Sequence, residues 1–194
     1  QGDWSSDVCS SDLVMQFPYV ARGQDAQENA HGADFMARLE QFLPQLPTRE
    51  FQFAIEVRNA RWVGDELLGI LRANNAALVL NNYYTMPQLG QMRERVDPQT
   101  ADFLYVRFLG DRKKMDEYVE GMIARGEKER HWDGLVWERS AELASWVEHL
   151  QHMVGAQPQR EVYALFNNHY AGYAPGSLGM FAKEWKSRAQ ASPV

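Results

Sequence analysis

Polar side chains that could bind or transform a ligand lie at the C-terminal ends of two short, mainly apolar runs of this chain. The first run, Val162–Phe166, is followed by amide, imidazole and phenol groups at Asn167, Asn168, His169 and Tyr170. The second run, Phe51–Asn59, carries a carboxylate and a guanidinium two residues apart, at Glu56 and Arg58. Polar groups at the C-terminal ends of buried parallel strands are typical of ligand sites in α/β proteins.

Glu56 is the candidate acid or base of this chain. A carboxylate can transfer protons, and a nearby cation holds it ionised. Arg58 shares the strand face of Glu56, because side chains alternate with period two. Arg107 lies in the apolar run Phe103–Leu109, and its planar fork of N–H donors suits a carboxylate or a phosphate. We expect Glu56, Arg58 and Arg107 to be catalytic, and the alternative is a structural ion pair of Glu56 with Arg58.

A second group of residues is predicted to bind and orient the ligand. Their amide, imidazole, phenol and indole groups can form hydrogen bonds or stack on a sugar or a base. The members of this group are Asn82, Trp62, Asn167, Asn168, His169 and Tyr170. Each also has a structural interpretation, because asparagines satisfy turn backbones and aromatic side chains often pack on one another.

Apolar runs and helical spacing predict an α/β chain with about five parallel strands. The predicted strands are Val14–Val20, Phe51–Arg58, Ala77–Leu80, Phe103–Leu109 and Val162–Phe166. Helices are predicted at Ala33–Leu43 and Asp65–Ala73, and others are predicted to begin at Ser140 and at Pro175. The long polar segments Glu94–Asp102 and Gly110–His131 are predicted to be lids or binding loops.

Four segments of the chain resemble the uncharacterised DUF72, or YecE-like, family of TIM-type barrels. They are VMQFPYV, FAIEVRNARW, ADFLYVRFLGDR, and WERSAELASWVEHL followed by VYALFNNHYAGYAP, within about Leu13 to Trp185. The last segment is the most specific, because a double asparagine, an aromatic-rich turn and a proline-started helix rarely coincide. The resemblance implies an incomplete (β/α) barrel whose five strands correspond to family strands four to eight of a complete eight.

The resemblance also implies what surrounds these strands. We expect residues 13–189 to be the C-terminal part of a barrel whose first three strands are missing, followed by a disordered C-terminus at 190–194. The two outer strands then lack partners, so the fragment should fold poorly alone. TIM barrels often bind phosphate with the loops after strands seven and eight and a helix N-terminus, which agrees with Asn167–Tyr170 and the helix begun by Pro175.

Residues 1–12 differ in character from the rest of the chain. Asp-Val-Cys-Ser-Ser-Asp-Leu, at positions 7–13, is encoded in frame by the sequencing-adapter sequence GAC GTG TGC TCT TCC GAT CT. We therefore interpret residues 1–12 as an artefact of sequence assembly, and the alternative is a disordered tail rich in serine and aspartate. Cys9 is the only cysteine, so the remaining chain offers no disulfide and no thiolate metal ligand.

The composition fits one globular domain, with 45% hydrophobic and 24% charged residues over 194 positions. No run of eighteen apolar residues exists, so we expect no membrane span and a cytoplasmic protein. His149 and His152 are helical neighbours on a face that should be exposed, so no metal site is expected. The residues indicate no particular cofactor and no oligomeric state.

The leading functional hypothesis is a barrel enzyme that acts on a small polar, anionic or sugar-like ligand at the C-terminal ends of the strands. One alternative is a nucleic-acid-binding barrel related in fold to endonuclease barrels. Its phosphate-binding residues would be Arg112, Lys113, Lys114, Arg125, Lys128 and Arg130. The formal net charge of -6 weakens this alternative. A third hypothesis is a non-catalytic barrel that binds a metabolite or a partner.

Overall fold

The structure is a computed structural model that describes residues 13–20, 25–127, 132–155, 157 and 159–191. Residues 1–12, interpreted above as an artefact, lie outside these ranges. Lys128 and Arg130 of the nucleic-acid hypothesis also lie outside them, as do the last three residues of the segment 190–194.

Five strands form one sheet. They are β1 (Leu13–Gln16), β2 (Phe53–Glu56), β3 (Ala77–Asn81), β4 (Leu104–Phe108) and β5 (Val162–Phe166). The strands are arranged in chain order, β1-β2-β3-β4-β5, and β1 to β3 pair in parallel with Gln16 beside Glu56. Parallel strands that neighbour each other in chain order need crossover connections, which the helices supply. The prediction of five parallel strands from an incomplete TIM-type barrel is confirmed.

Seven helices connect and follow these strands in the described part of the chain. They are α1 (Asp25–Phe42), α2 (Asp65–Ala73), α3 (Leu89–Arg93), α4 (Arg112–Ala124), α5 (Ser140–Gly155), α6 (Asn168–Ala171) and α7 (Ala174–Ala191). Short 3-10 turns occupy Leu43–Gln45 and Ala60–Trp62. All four predicted helices are present, although α1 begins at Asp25 rather than at Ala33, within a polar stretch that lacks an apolar stripe.

Helix α4 shows that the prediction of a loop at Gly110–His131 was wrong. Asp111 caps this helix, because its carboxylate accepts a backbone N–H of the first turn at 3.1 Å. An ion pair between Arg112 and Asp116 spans one turn at 3.4 Å. Only Met115 of α4 is buried, so the apolar spacing that marks a helix in a sequence is almost absent here.

The chain divides into two compact units. Unit 1 comprises the residues up to Val79 together with Pro98–Tyr105, and unit 2 comprises Leu80–Asp97 together with the residues from Val106. The first unit therefore holds β1, β2, α1 and α2 with the beginnings of β3 and β4. The second holds the ends of β3 and β4, all of β5, and helices α3 to α7.

The core of unit 1 forms where α2 covers the strands. Leu67, Leu68 and Leu71 are fully buried and recur at helical spacing, so one face of α2 is apolar. Trp62 is buried as well, and its ring stacks on Phe35 of α1 with ring centroids 4.9 Å apart.

The core of unit 2 is an aromatic cluster centred on Phe108 at the end of β4. Phe166 of β5 stacks on Phe108 at 4.4 Å, and Trp146 of α5 meets the same ring edge-on at 5.2 Å. Tyr170 of α6 and Phe181 of α7 complete the cluster, at 5.3 and 5.7 Å from Phe108. These contacts place the segment after β5 against the end of β4.

The two outer strands of the sheet, β1 and β5, are more exposed than the three strands between them. Every residue of β2 and β3 is buried, whereas Leu13 in β1 is 45% exposed and Leu165 in β5 is 43% exposed. Apolar residues at an outer strand with unpaired backbone groups favour association with other chains.

The side chain of Thr100 should contribute strongly to the stability of unit 1. It lies in Glu94–Asp102, which contains neither helix nor strand, and its buried hydroxyl accepts the N–H of Leu78 and donates to the carbonyl of Ala76, both at 2.8 Å. We expect Thr100→Val to lower the free energy of unfolding by about 3 kcal/mol, because two buried backbone groups lose their partner.

Urea unfolding followed by circular dichroism measures this loss. Thr100→Ser is the matched control: it keeps the hydroxyl and removes one methyl group, so it should cost about 1 kcal/mol. Equal losses for the two variants would mean that the hydroxyl does not stabilise β3.

Candidate functional site

The candidate site of unit 2 begins with Asn82, which directly follows β3. Its side-chain oxygen accepts the backbone N–H groups of Leu109 and Gly110, at 2.9 and 3.1 Å. Its own backbone N–H donates to the carbonyl of Arg107 at 3.3 Å. The predicted ligand-binding residue Asn82 is thus buried and ties the end of β3 to the segment after β4.

Glu142 in the first turn of α5 is a central residue that the sequence did not reveal. One carboxylate oxygen accepts the side-chain N–H groups of Asn82 at 3.0 Å and of Gln88 at 3.4 Å. The other oxygen accepts Arg139 at 2.8 Å and the hydroxyl of Tyr170 at 3.3 Å. A glutamate in the first turn of a helix is common, so its type and position alone could not distinguish it from a solvated one.

Tyr170 is fully buried beside this carboxylate. The guanidinium of Arg139 lies 4.9 Å from the centre of the Tyr170 ring, in a cation–π contact. Burial, followed by the neighbouring charge of Glu142, raises the pKa of the Tyr170 phenol well above its usual range. Tyr170 therefore stays protonated and donates its hydrogen bond at any physiological pH.

Gly110 lets the segments after β4 and β5 approach each other closely. Its φ is +71°, and a Cβ at this position would lie 2.4 Å from the carbonyl oxygen of His169 and 2.5 Å from the Cα of Tyr170. Only glycine adopts this backbone conformation readily and has no Cβ to collide with those atoms. The arrangement of His169 thus depends on the absence of a side chain at Gly110.

Asn167 fixes the orientation of His169. The Asn167 side-chain oxygen accepts the backbone N–H of His169 at 2.9 Å, which identifies that atom as the oxygen of the amide. The same oxygen lies 2.7 Å from Nδ1 of His169. Because an amide oxygen can only accept, Nδ1 carries the proton and Nε2 is unprotonated in the neutral ring. Nε2 lies 3.9 Å from a carboxylate oxygen of Asp116.

Asn168 has a structural contact of its own. Its side-chain oxygen accepts the backbone N–H of Ala174 at 2.8 Å, at the beginning of α7. Asn168 was predicted to bind a ligand. In the structure its side chain satisfies a backbone donor at the beginning of α7, the helix that Pro175 was predicted to begin.

An open cavity of about 390 Å³ lies next to Asp116. Two aromatic rings line one part, with the centroids of Tyr83 and Tyr84 4.5 Å apart and Tyr84 58% exposed. The first two turns of α4 line the rest with Arg112, Lys113, Asp116, Glu117 and Glu120. An exposed aromatic face beside cations and carboxylates can bind a polar ring that carries a charge.

The remaining predicted residues lie in β4 and in unit 1. Arg107 in β4 is half-buried. Glu56 is fully buried in β2 and lies 3.0 Å from Nε of Arg58, whose guanidinium also donates to the side chain of Gln16 at 2.9 Å. Trp62 belongs to the apolar packing of unit 1 described above.

The described ranges contain neither a candidate metal-binding group nor a candidate membrane-spanning helix. No group of three or more histidine, aspartate or glutamate side chains there could hold a metal ion. The helices within those ranges include none that is long and apolar enough to cross a membrane.

Sequential parallel strands joined by helices, with polar groups after β3, β4 and β5, define part of a TIM-type barrel. Residues 13–193 match DUF72, described as a protein of unknown function, and the chain belongs to that family. A solved DUF72 family protein from Thermotoga maritima is 22% identical, with a TM-score of 0.57. The match covers 89% of this chain and 56% of that one, and it shows a shared fold. No curated protein matches the chain.

Replacing Gly110 should be among the most destabilising single changes in unit 2. We expect Gly110→Ala to lower the free energy of unfolding by about 3 kcal/mol, because the new methyl group meets backbone atoms and the left-handed conformation is strained. Gly126→Ala is the control: its φ is +72° but nothing lies within 4 Å of its Cβ, so it should cost only about 1 kcal/mol. Comparable losses in thermal unfolding would contradict the close approach at Gly110.

The stability of the protein should fall at high pH because of Tyr170. The folded state binds the phenol proton more tightly than the unfolded state, so the stabilising contribution is complete below about pH 10 and is lost as the pH rises further. Relative to Tyr170→Phe, wild type should lose up to about 1.4 kcal/mol per pH unit above pH 10. Urea unfolding at several pH values measures this difference, and the exposed control Tyr84→Phe should retain the wild-type slope.

Proposed function

We propose that this chain contributes to a barrel enzyme that binds a small polar, anionic or sugar-like ligand after the C-terminal ends of its strands and acts on it by proton transfer. The observation that carries this proposal is the orientation of His169. Asn167 holds its Nδ1–H, and its Nε2 lies 3.9 Å from Asp116, which lines the 390 Å³ cavity. A histidine held in one tautomer can take up and return a proton at Nε2.

The lining of the cavity supports the proposed class of ligand. Arg112 and Lys113 supply cations at the beginning of α4, where the helix dipole also favours an anion. The exposed ring of Tyr84 supplies a surface on which a sugar can stack. Both features agree with a ligand that joins a polar ring to a negative charge.

The other predicted residues keep proposed roles. In unit 2, Asn82 and Tyr170 would position the ligand-binding segments, and Arg107 would stabilise negative charge. In unit 1, Glu56 is proposed as an acid or base, in contact with Arg58 at 3.0 Å. We propose that the protein acts in the cytoplasm.

Local ion pairing argues against the nucleic-acid hypothesis. Among the described members of its basic set, Arg112 pairs with Asp116 at 3.4 Å, and Arg125 pairs with Glu127 at 2.5 Å. Lys113 likewise lies 3.8 Å from a carboxylate of α4. Phosphate binding by counterion release needs cations that are not already neutralised by acidic neighbours.

Arg112→Gln should weaken the binding of inorganic phosphate about tenfold, since a hydrogen bond to a charged group contributes about 1.5 kcal/mol. The measurement is an NMR titration that follows the ring resonances of His169, assigned by their absence in His169→Gln. Arg38→Gln is the matched control, because Arg38 forms an equally exposed pair with an aspartate four residues away and does not line this cavity.

The outcomes separate the hypotheses. A saturable response that Arg112→Gln weakens and Arg38→Gln does not supports the site. No response in wild type, or the same weakening in both variants, contradicts it. In a full-length homologue, His169→Gln should abolish turnover and retain phosphate binding, measured by isothermal titration calorimetry, if the protein is an enzyme, whereas a metabolite-binding barrel has no turnover to lose.

A further inference from the structure

Trp62 in unit 1 has a buried indole N–H with no hydrogen-bond acceptor in the described part of the chain. The residue is only 8% exposed. Leaving such a donor without a partner costs about 1–3 kcal/mol, and buried polar groups in folded proteins are almost always paired. The N–H of Trp62 therefore points to an acceptor that binds from outside the described chain.

Gly32 of α1 lies against the indole ring beside this N–H, where a side chain would come too close. A Cβ at Gly32 would lie 3.0 Å from Nε1 and 3.3 Å from Cδ1 of Trp62. Both residues line an open cavity of about 260 Å³ between α1 and the turn that leads into α2. The volume is sufficient for a small organic molecule of a few heavy atoms.

The beginning of α2 lines the same cavity and offers further donors. Gly64 is the N-cap residue of this nine-residue helix and has no side chain to satisfy the N–H groups of the first turn. Such groups, together with the helix dipole, favour a carboxylate. Arg61 lines the cavity too and adds a positive charge.

Two acidic side chains, Asp65 and Glu66, also line this cavity. They would repel a simple anion but attract a cationic group on the same ligand. We propose that the cavity binds a small zwitterion of the amino-acid class. Its carboxylate accepts the N–H of Trp62 near the beginning of α2, and its ammonium group faces Asp65 and Glu66.

This site belongs to unit 1 and does not depend on the ligand site proposed for unit 2. Glycine is the probe, and the readout is the indole N–H resonance of Trp62 in a ¹⁵N-labelled sample of the full chain. The chain has six tryptophans, and the indole signal that is lost in Trp62→Phe is the signal of Trp62. We expect a saturable shift at millimolar glycine and a weaker response to acetate at equal ionic strength.

Gly32→Ala should reduce the affinity for glycine at least about tenfold, because its methyl group occupies the space beside Nε1. Alanine also favours a helix more than glycine does, so α1 should remain folded. Gly69→Ala is the matched control in α2, since nothing lies within 4 Å of its Cβ, and it should bind glycine as wild type does. Unchanged indole signals from the other tryptophans verify the fold of each variant.

A second variant tests the zwitterion itself. Asp65→Asn combined with Glu66→Gln removes two exposed carboxylates and should abolish the preference for glycine over acetate. No saturable shift in wild type, an unchanged affinity in Gly32→Ala, or an equal response to glycine and acetate in wild type would overturn the proposal.

Discussion

Buried polar groups after the strands need hydrogen-bond partners. In unit 2 the Glu142 carboxylate is the shared acceptor for such groups. Its two oxygens accept four donors, from the segment after β3, from the residue before α5 and from α6. A carboxylate is suited to this position because it offers several lone pairs and no proton. The positions of Asn82 and Tyr170 follow from this one group, and so does the geometry of the loops that they anchor.

The same network limits where the chemistry of unit 2 can lie. Asn82 and Tyr170 form internal hydrogen bonds that hold the loops after the strands in place. His169 differs, because Asn167 satisfies only one of its ring nitrogens. The close approach at Gly110 fixes the backbone of His169. A rigid frame that carries one oriented ring nitrogen is the arrangement that acid–base chemistry requires.

Charge in α4 is balanced locally, between side chains one helical turn apart. In α4, cations and carboxylates alternate at helical spacing and form pairs across single turns. Exposed pairs of this kind contribute little stability, yet they change what the surface can bind. These pairs support the proposed small ligand, which would replace one partner, over a long polyanion that needs many unneutralised cations.

The sequence alone determined the strands of this protein, their order along the chain and its family. Mainly apolar runs that end in polar residues are local signals, since strands with buried faces are rich in apolar residues. The residues Asn82, Asn167 and His169 were also recognisable, because amides and imidazoles directly after a strand stand out in type. Helix α4 escaped detection, because ion pairs and a capping aspartate stabilise it while only one of its residues is buried.

Only the tertiary structure decided which of these groups meet. Asn82 and Glu142 are 60 residues apart in sequence and 3.0 Å apart in space, and no periodicity relates them. The indole N–H of Trp62 and Gly32 likewise come together only when α1 packs beside the turn that leads into α2. Packing brings hydrogen-bond partners together over long sequence separations, whereas strands and helices are favoured by interactions between residues close in sequence.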